Sequence, residues 1–167
     1  MKINKYILVA ILLSASAAQA HGGYEPDCAQ NLCPDKFGIG VAVGPTYGAG
    51  LAFKYKFSSA FAMQVNAMPY YDGDKKLFVG GATFFITLHE KRWAEAYVTA
   101  GASALYYSPG KYQRSEKYFI FGPGIGVTWK FPNGLGASIE FPISFIFGPD
   151  EDFYVLPIPN TSFMYYF

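Results

Sequence analysis

Five charged side chains interrupt otherwise apolar stretches of this 167-residue sequence. They are Lys54, Lys56, Glu95, Lys130 and Glu140. Amines and carboxylates that leave water must pair with one another, so we expect the two glutamates to oppose the three lysines in one buried charge network. Hydroxyl and amide groups would satisfy the remaining hydrogen bonds: Gln64, Asn66, Thr83, Thr87, Thr99, Ser103, Thr128 and Ser138. Such a network would fix the shape of an interior; the alternative is a narrow proton or ion path.

Two cysteines, Cys28 and Cys33, are separated by four residues in the N-terminal part of the chain. In an oxidising compartment this spacing predicts a small disulfide loop. Without a second pair of ligands it is a weak signal for zinc. His21 could chelate copper through its imidazole if cleavage made it the N-terminal residue, although the specificity of this pattern is low. We expect a disulfide here, with no metal and no cofactor.

Enzyme chemistry has few candidates. A hydroxyl nucleophile needs a base within hydrogen-bond reach, and the sequence contains two histidines, His21 and His89. His89 falls in a predicted turn beside Glu90. The acidic run at 150–152 could hold a carboxylate site, but such a loop is usually only solvated. We therefore expect a non-enzymatic protein, and the net charge of +1 indicates no nucleic-acid partner.

The first 20 residues have the order of a secretory signal peptide. Lys2 and Lys5 precede an apolar stretch, residues 6–13, and Ala18 and Ala20 provide a cleavage site before His21. The apolar stretch is too short to be a transmembrane helix, which needs about 20 residues. We expect three regions: a cleaved signal at 1–20, an N-terminal segment at 21–36 and one domain at 37–167.

The elements that must position the charged residues are β-strands. Only 15% of the residues are charged, against about 25% in ordinary soluble chains, and 19% are aromatic. Charges cluster between alternating segments, which predict eight strands near 37–44, 47–57, 60–70, 77–88, 93–107, 118–131, 135–147 and 160–167. Alternatively, 38–57 is one bent strand and a further strand lies within 153–157. In 47–57 one face would carry Tyr47, Ala49, Leu51, Phe53, Tyr55 and Phe57.

The chain resembles small bacterial outer-membrane β-barrels. Strands in that class alternate large apolar side chains with small, polar or charged ones, as 118–131 and 135–147 do here. Phe163, Tyr165 and Phe167 place aromatic side chains on one strand face, which resembles the ending that the barrel-assembly machinery recognises in that family. The resemblance implies an all-β, closed, antiparallel, up-and-down transmembrane barrel in the outer membrane, with both termini periplasmic. The alternative is a soluble periplasmic β-sandwich or ligand-binding barrel with an apolar interior.

The resemblance also shapes the functional expectation. Aromatic girdles are expected near the periplasmic interface, from Tyr55, Phe57, Phe61, Trp93, Trp129 and Phe131, and near the outer interface, from Tyr70, Tyr71, Tyr106, Tyr107, Tyr118 and Phe119. External loops are expected at 72–76, 108–117 and 148–160. In the second loop, Tyr112, Arg114 and Glu116 would contact lipopolysaccharide or a partner; the alternative is a solvated loop. We expect a monomer with a side-chain-filled lumen that supports envelope integrity or presents its loops to lipid or a partner; the alternative is a lipid-modifying enzyme or narrow conduit.

Overall fold

The computed structural model describes residues 36–72, 75–108, 115–149 and 153–167, and these contain ten β-strands. The strands are β1 Phe37–Gly44, β2 Gly48–Lys56, β3 Phe61–Asp72, β4 Lys75–Lys91, β5 Ala94–Ser108, β6 Glu116–Lys130, β7 Leu135–Pro142, β8 Ser144–Phe147, β9 Phe153–Leu156 and β10 Asn160–Tyr166. In this part of the chain, no helix is long and apolar enough to cross a membrane. The predicted signal peptide, the segment 21–35 with the predicted Cys28–Cys33 disulfide, and the charged residues at 111–114 and 150–152 lie outside the described residues.

The strands close into a barrel. Each strand from β1 to β6 pairs antiparallel with its successor, β7 pairs with β10, and β10 returns to pair with β1. This arrangement confirms the predicted closed, antiparallel, up-and-down barrel of eight strands. We call the end at which β1 begins and β10 ends the proximal end, and the opposite end the distal end.

Two of the eight barrel strands are interrupted by proline. β7 and β8 both pair with β6 and are separated only at Ile143. β9 and β10 are separated only at 157–159, and they keep one register: Glu140 lies opposite Asn160, and Ser144 lies opposite Leu156. Residues 153–166 therefore form the last barrel strand. The expected loop at 148–160 was wrong beyond residue 152, and the strand suspected within 153–157 extends β10 rather than adding a ninth wall.

The first strand ends at Gly44, and the connection that follows it is not an ordinary loop outside the barrel. β1 and β2 pair up to Gly44 and Gly48, which excludes one bent strand over 38–57. Gly48 has a φ of +77°, a left-handed conformation that suits glycine. The three residues between, Pro45, Thr46 and Tyr47, fold into the barrel, and we call them the inserted turn. The prediction that Tyr47 lies on the outward face was wrong, because its side chain is completely buried.

A β-bulge alters the proximal end of β4. The register with β5 shifts between Thr87 and His89, so β4 continues to Lys91 where a turn at 89–92 was expected. A bulge adds one residue to one strand and changes which side chains face inward beyond it. Here it directs Glu90 toward the charged residues at the proximal end.

The two faces of the barrel have opposite chemistry. Large apolar side chains point outward and are exposed: Leu51 and Ile125 are each 63% accessible. Charged and polar side chains point inward: Lys54 is 3% accessible and Glu95 1%. The inward apolar side chains, including Phe85, Tyr97 and Met164, form one small cluster with Tyr47.

Aromatic residues at the two ends differ in direction. All six at the proximal end, from Tyr55 to Phe131, are exposed. At the distal end, Tyr71 and Phe119 point outward as expected. Alternation places Tyr70, Tyr107 and Tyr118 on the inner face instead, because they share parity with the inward residues of their strands. The expected outer girdle is therefore divided between the two faces.

Candidate functional site in the barrel lumen

Four charged side chains meet at the proximal mouth of the lumen. Lys56 Nζ lies 3.0 Å from Glu95 Oε2 and 3.3 Å from Glu90 Oε1. Lys130 Nζ lies 3.3 Å from the same Glu95 oxygen and also pairs with Glu90. The Thr87 hydroxyl donates to Glu95 Oε1 at 2.6 Å. Two cations thus bridge two carboxylates, and we call these four residues the proximal charge cluster.

The cluster is assembled by strand ends that the barrel closure brings together. Lys56 and Lys130 are the last residues of β2 and β6, and Glu95 is the second residue of β5. Strict alternation along each strand is enough to place these three inside. Glu90 was not expected, because it joins them only through the bulge in β4, and nothing in the local pattern of apolar residues marks that bulge.

Lys54 occupies the next inward position on β2, distal to Lys56. Its Nζ lies 4.1 Å from the centroid of the Phe85 ring, 5.5 Å from that of Tyr97 and 6.0 Å from that of Tyr166. Among the described residues, no carboxylate oxygen lies within 4.0 Å of this nitrogen. The lysine expected to form an ion pair is held by aromatic faces, whose negative quadrupole attracts a cation.

Glu140 is the second buried carboxylate, and its partners differ from those expected. Its Oε2 accepts a hydrogen bond from Tyr47 Oη at 2.7 Å, and its Oε1 accepts one from Asn160 Nδ2 at 2.8 Å. Within the described part of the chain, no lysine forms an ion pair with it. The expected opposition of Glu140 to a lysine was wrong, because Tyr47 of the inserted turn occupies that position.

Side chains from across the barrel hold the inserted turn. Asn66 Nδ2 donates to Tyr47 O at 2.7 Å, and Asn160 Nδ2 donates to Thr46 Oγ1 at 2.6 Å. The Ser103 hydroxyl donates to Pro45 O. Space for the turn comes from glycine: a Cβ on Gly81 would lie only 2.3 Å from Tyr47 O. The turn therefore closes the lumen above Glu140.

Other polar side chains complete the interior. Gln64 donates to Asn66 at 3.1 Å, and the hydroxyls of Ser138 and Ser162 lie 2.6 Å apart. Six buried polar atoms have no hydrogen-bond partner among the described protein atoms: Thr83 Oγ1, Tyr97 Oη, Thr99 Oγ1, Thr128 Oγ1, Ser144 Oγ and Asn160 Oδ1. Buried polar groups are normally satisfied, often by internal water. The lumen is thus filled by a polar network, in which internal water is the usual partner for atoms of this kind.

The remaining predicted residues lie apart from this network. His89 is exposed on β4 near the proximal end, with Glu90 and Lys91 next to it. Tyr106, Tyr107 and Glu116 lie at the distal ends of β5 and β6, whereas Tyr112 and Arg114 lie outside the described residues. Phe163, Tyr165 and Phe167 project outward at the proximal end of the last strand and are exposed.

Comparisons with protein-family models, curated proteins and solved structures found no match to this chain.

Proposed function

We propose that this protein is a small, non-enzymatic outer-membrane β-barrel without an open pore, which contributes to the integrity of the envelope. The observation that supports this most is the inversion of its two faces. A water-soluble barrel buries its large apolar side chains and exposes its charged ones. Here Lys56, Glu95 and Glu140 are buried, whereas Phe53, Ile125 and Phe141 are exposed. Such an outer surface suits hydrocarbon.

The apolar surface surrounds the barrel rather than forming one patch. Monomeric soluble proteins rarely expose contiguous apolar patches above a few hundred Å². Exposed apolar side chains occur on the outer faces of every barrel strand: Val41 on β1, Leu51 on β2, Val65 on β3, Phe84 on β4, Ala100 on β5, Ile125 on β6, Phe141 on β7 and Phe163 on β10. We call this surface the apolar belt. A belt of this kind favours lipid over a single protein partner.

The filled lumen supports a structural role over transport. Eight strands leave an interior only wide enough for side chains or one small ligand. The proximal charge cluster, the Lys54 aromatic site and the inserted turn lie one after another along that interior. Exposed lysines at the distal rim, Lys75, Lys76 and Lys117, could pair with lipid phosphates. We infer that the distal rim contacts lipopolysaccharide, with both chain ends in the periplasm.

A narrow proton path is the second candidate function. The six unpartnered polar atoms support it, because they imply water within the lumen. Proton flux into vesicles loaded with a pH-sensitive dye tests this candidate. A flux above that of empty vesicles, lost in Glu140→Gln but not in the outward variant Thr161→Val, would favour the path over the structural role.

Cell fractionation with gel electrophoresis tests the favoured function. We expect the protein in the outer-membrane fraction, and we expect it to migrate faster unless boiled in detergent, since a closed barrel resists unfolding. Recovery in the soluble periplasm, with migration unaffected by boiling, would overturn the proposal.

A further inference from the structure

The inner surface of the barrel changes from polar to apolar beyond the inserted turn. Gly81 on β4 and Ser103 on β5 contact the turn. The next inward residues toward the distal end of these strands are Val79 and Leu105, which lie opposite each other. The inner face is also apolar farther around the wall: Ile120 lies opposite Ser103 on one side and Ile146 on the other, and Leu156 lies on β9 opposite Ser144. Above it lie the inward tyrosines Tyr70, Tyr107, Tyr118 and Tyr154. We call this space the distal cup; the inserted turn is its floor.

The wall of the cup is interrupted on one side. β1 and β2 end at Gly44 and Gly48, but both flanking strands continue distally. Beyond Ala67, the pairing of β3 is with β4 alone among the described strands, and β9 pairs with β8 alone. A gap therefore separates β3 from β9, directly above the inserted turn.

Three prolines line this gap. Along a strand, successive backbone groups point to opposite neighbours. Thr87 N donates to Ala60 O, so the backbone groups of even-numbered residues in β3 point to β4. Those of odd-numbered residues point the other way, and the nitrogen of Pro69 therefore faces the gap. Tyr166 N donates to Gly134 O, so even-numbered residues of the last strand bond to β7, and Pro157 and Pro159 also turn their nitrogens to the gap. Proline has no N–H and resists pairing with an added strand. The gap is thus poorly suited to a β-strand partner.

The gap joins the apolar interior of the cup to the apolar belt. Outward side chains beside it are apolar and exposed: Val43 below it, Tyr71 on β3, and Phe153 and Val155 on β9. Inside, Leu156 is 42% accessible, so the cup has free apolar surface. An eight-stranded barrel has the width for one small ligand. Lys75 at the rim of β4 could meet a phosphate that remains outside.

We propose that the distal cup binds one acyl chain of a lipid from the surrounding outer leaflet, which enters sideways through the gap between β3 and β9. This proposal rests on the proposed membrane location. A lipid satisfies both observations at once, because its chain matches the apolar layer and it reaches the gap without leaving the apolar belt. The prolines along both edges disfavour the pairing by which a polypeptide strand would fill the same gap.

Photolabelling tests the proposal with the full mature chain. The barrel is placed in lipid nanodiscs that contain a trace of phospholipid with a diazirine in one acyl chain, and adducts are mapped by mass spectrometry. We expect adducts on the apolar belt, at residues such as Ile125 and Phe141, and also in the cup, at Leu105, Ile120 or Leu156. Leu105→Trp should fill the cup and abolish the cup adducts while belt adducts persist. Ala104→Trp places the same ring on the outer face and should leave both sets unchanged.

The two sets of adducts separate this proposal from the one on which it rests. If the unmodified protein gives belt adducts but no cup adducts, lipid binding in the cup is overturned, whether water or another segment of this chain fills the cup. The membrane location would still be supported. Absence of both sets would overturn the membrane location. Because the result for the unmodified protein decides the question, failure of Leu105→Trp to fold would not leave the proposal untested.

Discussion

The proximal charge cluster shows how much the setting of one residue decides its importance. Glu95 and Glu90 contact the same two lysines, yet the Glu95 side chain is 1% accessible and that of Glu90 32%. A buried carboxylate has lost its water and depends on its partners. A part-exposed one retains water, and its ion pairs contribute little. The two glutamates therefore form a matched pair for mutation.

Glu95→Gln should lower the free energy of unfolding by about 3–5 kcal/mol, because it leaves Lys56 and Lys130 without their buried counter-charge. Glu90→Gln should cost no more than about 1 kcal/mol. Guanidinium unfolding of the barrel in detergent or lipid, followed by tryptophan fluorescence, measures both. Equal losses for the two variants would contradict the burial that distinguishes them.

Tyr47→Phe removes the hydroxyl that donates to Glu140 while retaining the ring of the inserted turn. We expect a loss of about 1–3 kcal/mol, since the change leaves a buried acceptor oxygen of Glu140 without its donor. Tyr55→Phe makes the same change on the outer face and should change stability by less than about 0.5 kcal/mol. The same unfolding experiment compares them; a neutral Tyr47→Phe would show that the turn is not held through Glu140.

At the scale of elements, strand positions could be predicted and the inserted turn could not. Alternation assigns Lys54, Glu95 and Lys130 to the inner face because strand side chains alternate with period two. The direction of a three-residue turn depends instead on distant strands. Gly81 and Gly101 provide its space, and Asn66, Ser103 and Asn160 provide its hydrogen bonds. No local pattern connects these residues.

Proline explains the other differences between the predicted and observed elements. Pro123 has no N–H to donate toward Ile143, and Pro142 has none to donate toward Ile158, so the ladder breaks at 143 and 157–159. The sequence shows the prolines, but the breaks could be read either as loops or as interruptions within one strand. Only the shared register across both breaks decides between them.

Gly81→Ala tests the inserted turn directly. The added Cβ would lie 2.3 Å from Tyr47 O, so the turn must shift. We expect a loss of about 1–3 kcal/mol, as for other overpacked sites. In Gly80→Ala, at the adjacent position, the added Cβ would lie 3.2 Å from the movable Phe78 ring and 3.4 Å from Asn66 O, so the change should be neutral or stabilise by up to about 1 kcal/mol. Unfolding midpoints compare the two. A tolerated Gly81→Ala would mean that the turn is not packed against β4.

For the whole molecule, closure was implied by the resemblance to outer-membrane barrels, and the sequence itself was sufficient to predict eight strands, because these follow from repeated local alternation. It was insufficient for the distal end, where Tyr70, Tyr107 and Tyr118 face inward. Aromatic residues at strand ends are expected on either face, and their assignment as a girdle relied on composition rather than on parity. Tyr70 and Tyr71 are adjacent in β3, and adjacent residues of a strand lie on opposite faces. Counting positions along each strand would therefore have assigned these two tyrosines to different faces of the barrel.

Depth within the apolar belt should control the cost of an outward charge. Ile125→Arg, about midway along the outer face of β6, should lower the stability of the barrel in lipid by about 2–4 kcal/mol, whereas Tyr71→Arg at the distal rim should cost about 0–1 kcal/mol. In a soluble protein both positions are exposed, and both changes would be near neutral. Reversible unfolding from lipid vesicles measures the difference; equal, small costs would contradict a lipid-facing belt.

The most direct test uses the two tryptophans of the chain, Trp93 and Trp129, which both project outward at the proximal end. The barrel is reconstituted into vesicles whose lipids carry bromine at chosen depths along the acyl chain, and tryptophan emission is recorded. If the belt faces lipid, emission should be quenched, and more strongly by bromine near the headgroup than by bromine near the bilayer centre. Emission that bromine leaves unchanged, while dissolved iodide quenches it fully, would place the outer face in water and contradict the proposed membrane barrel.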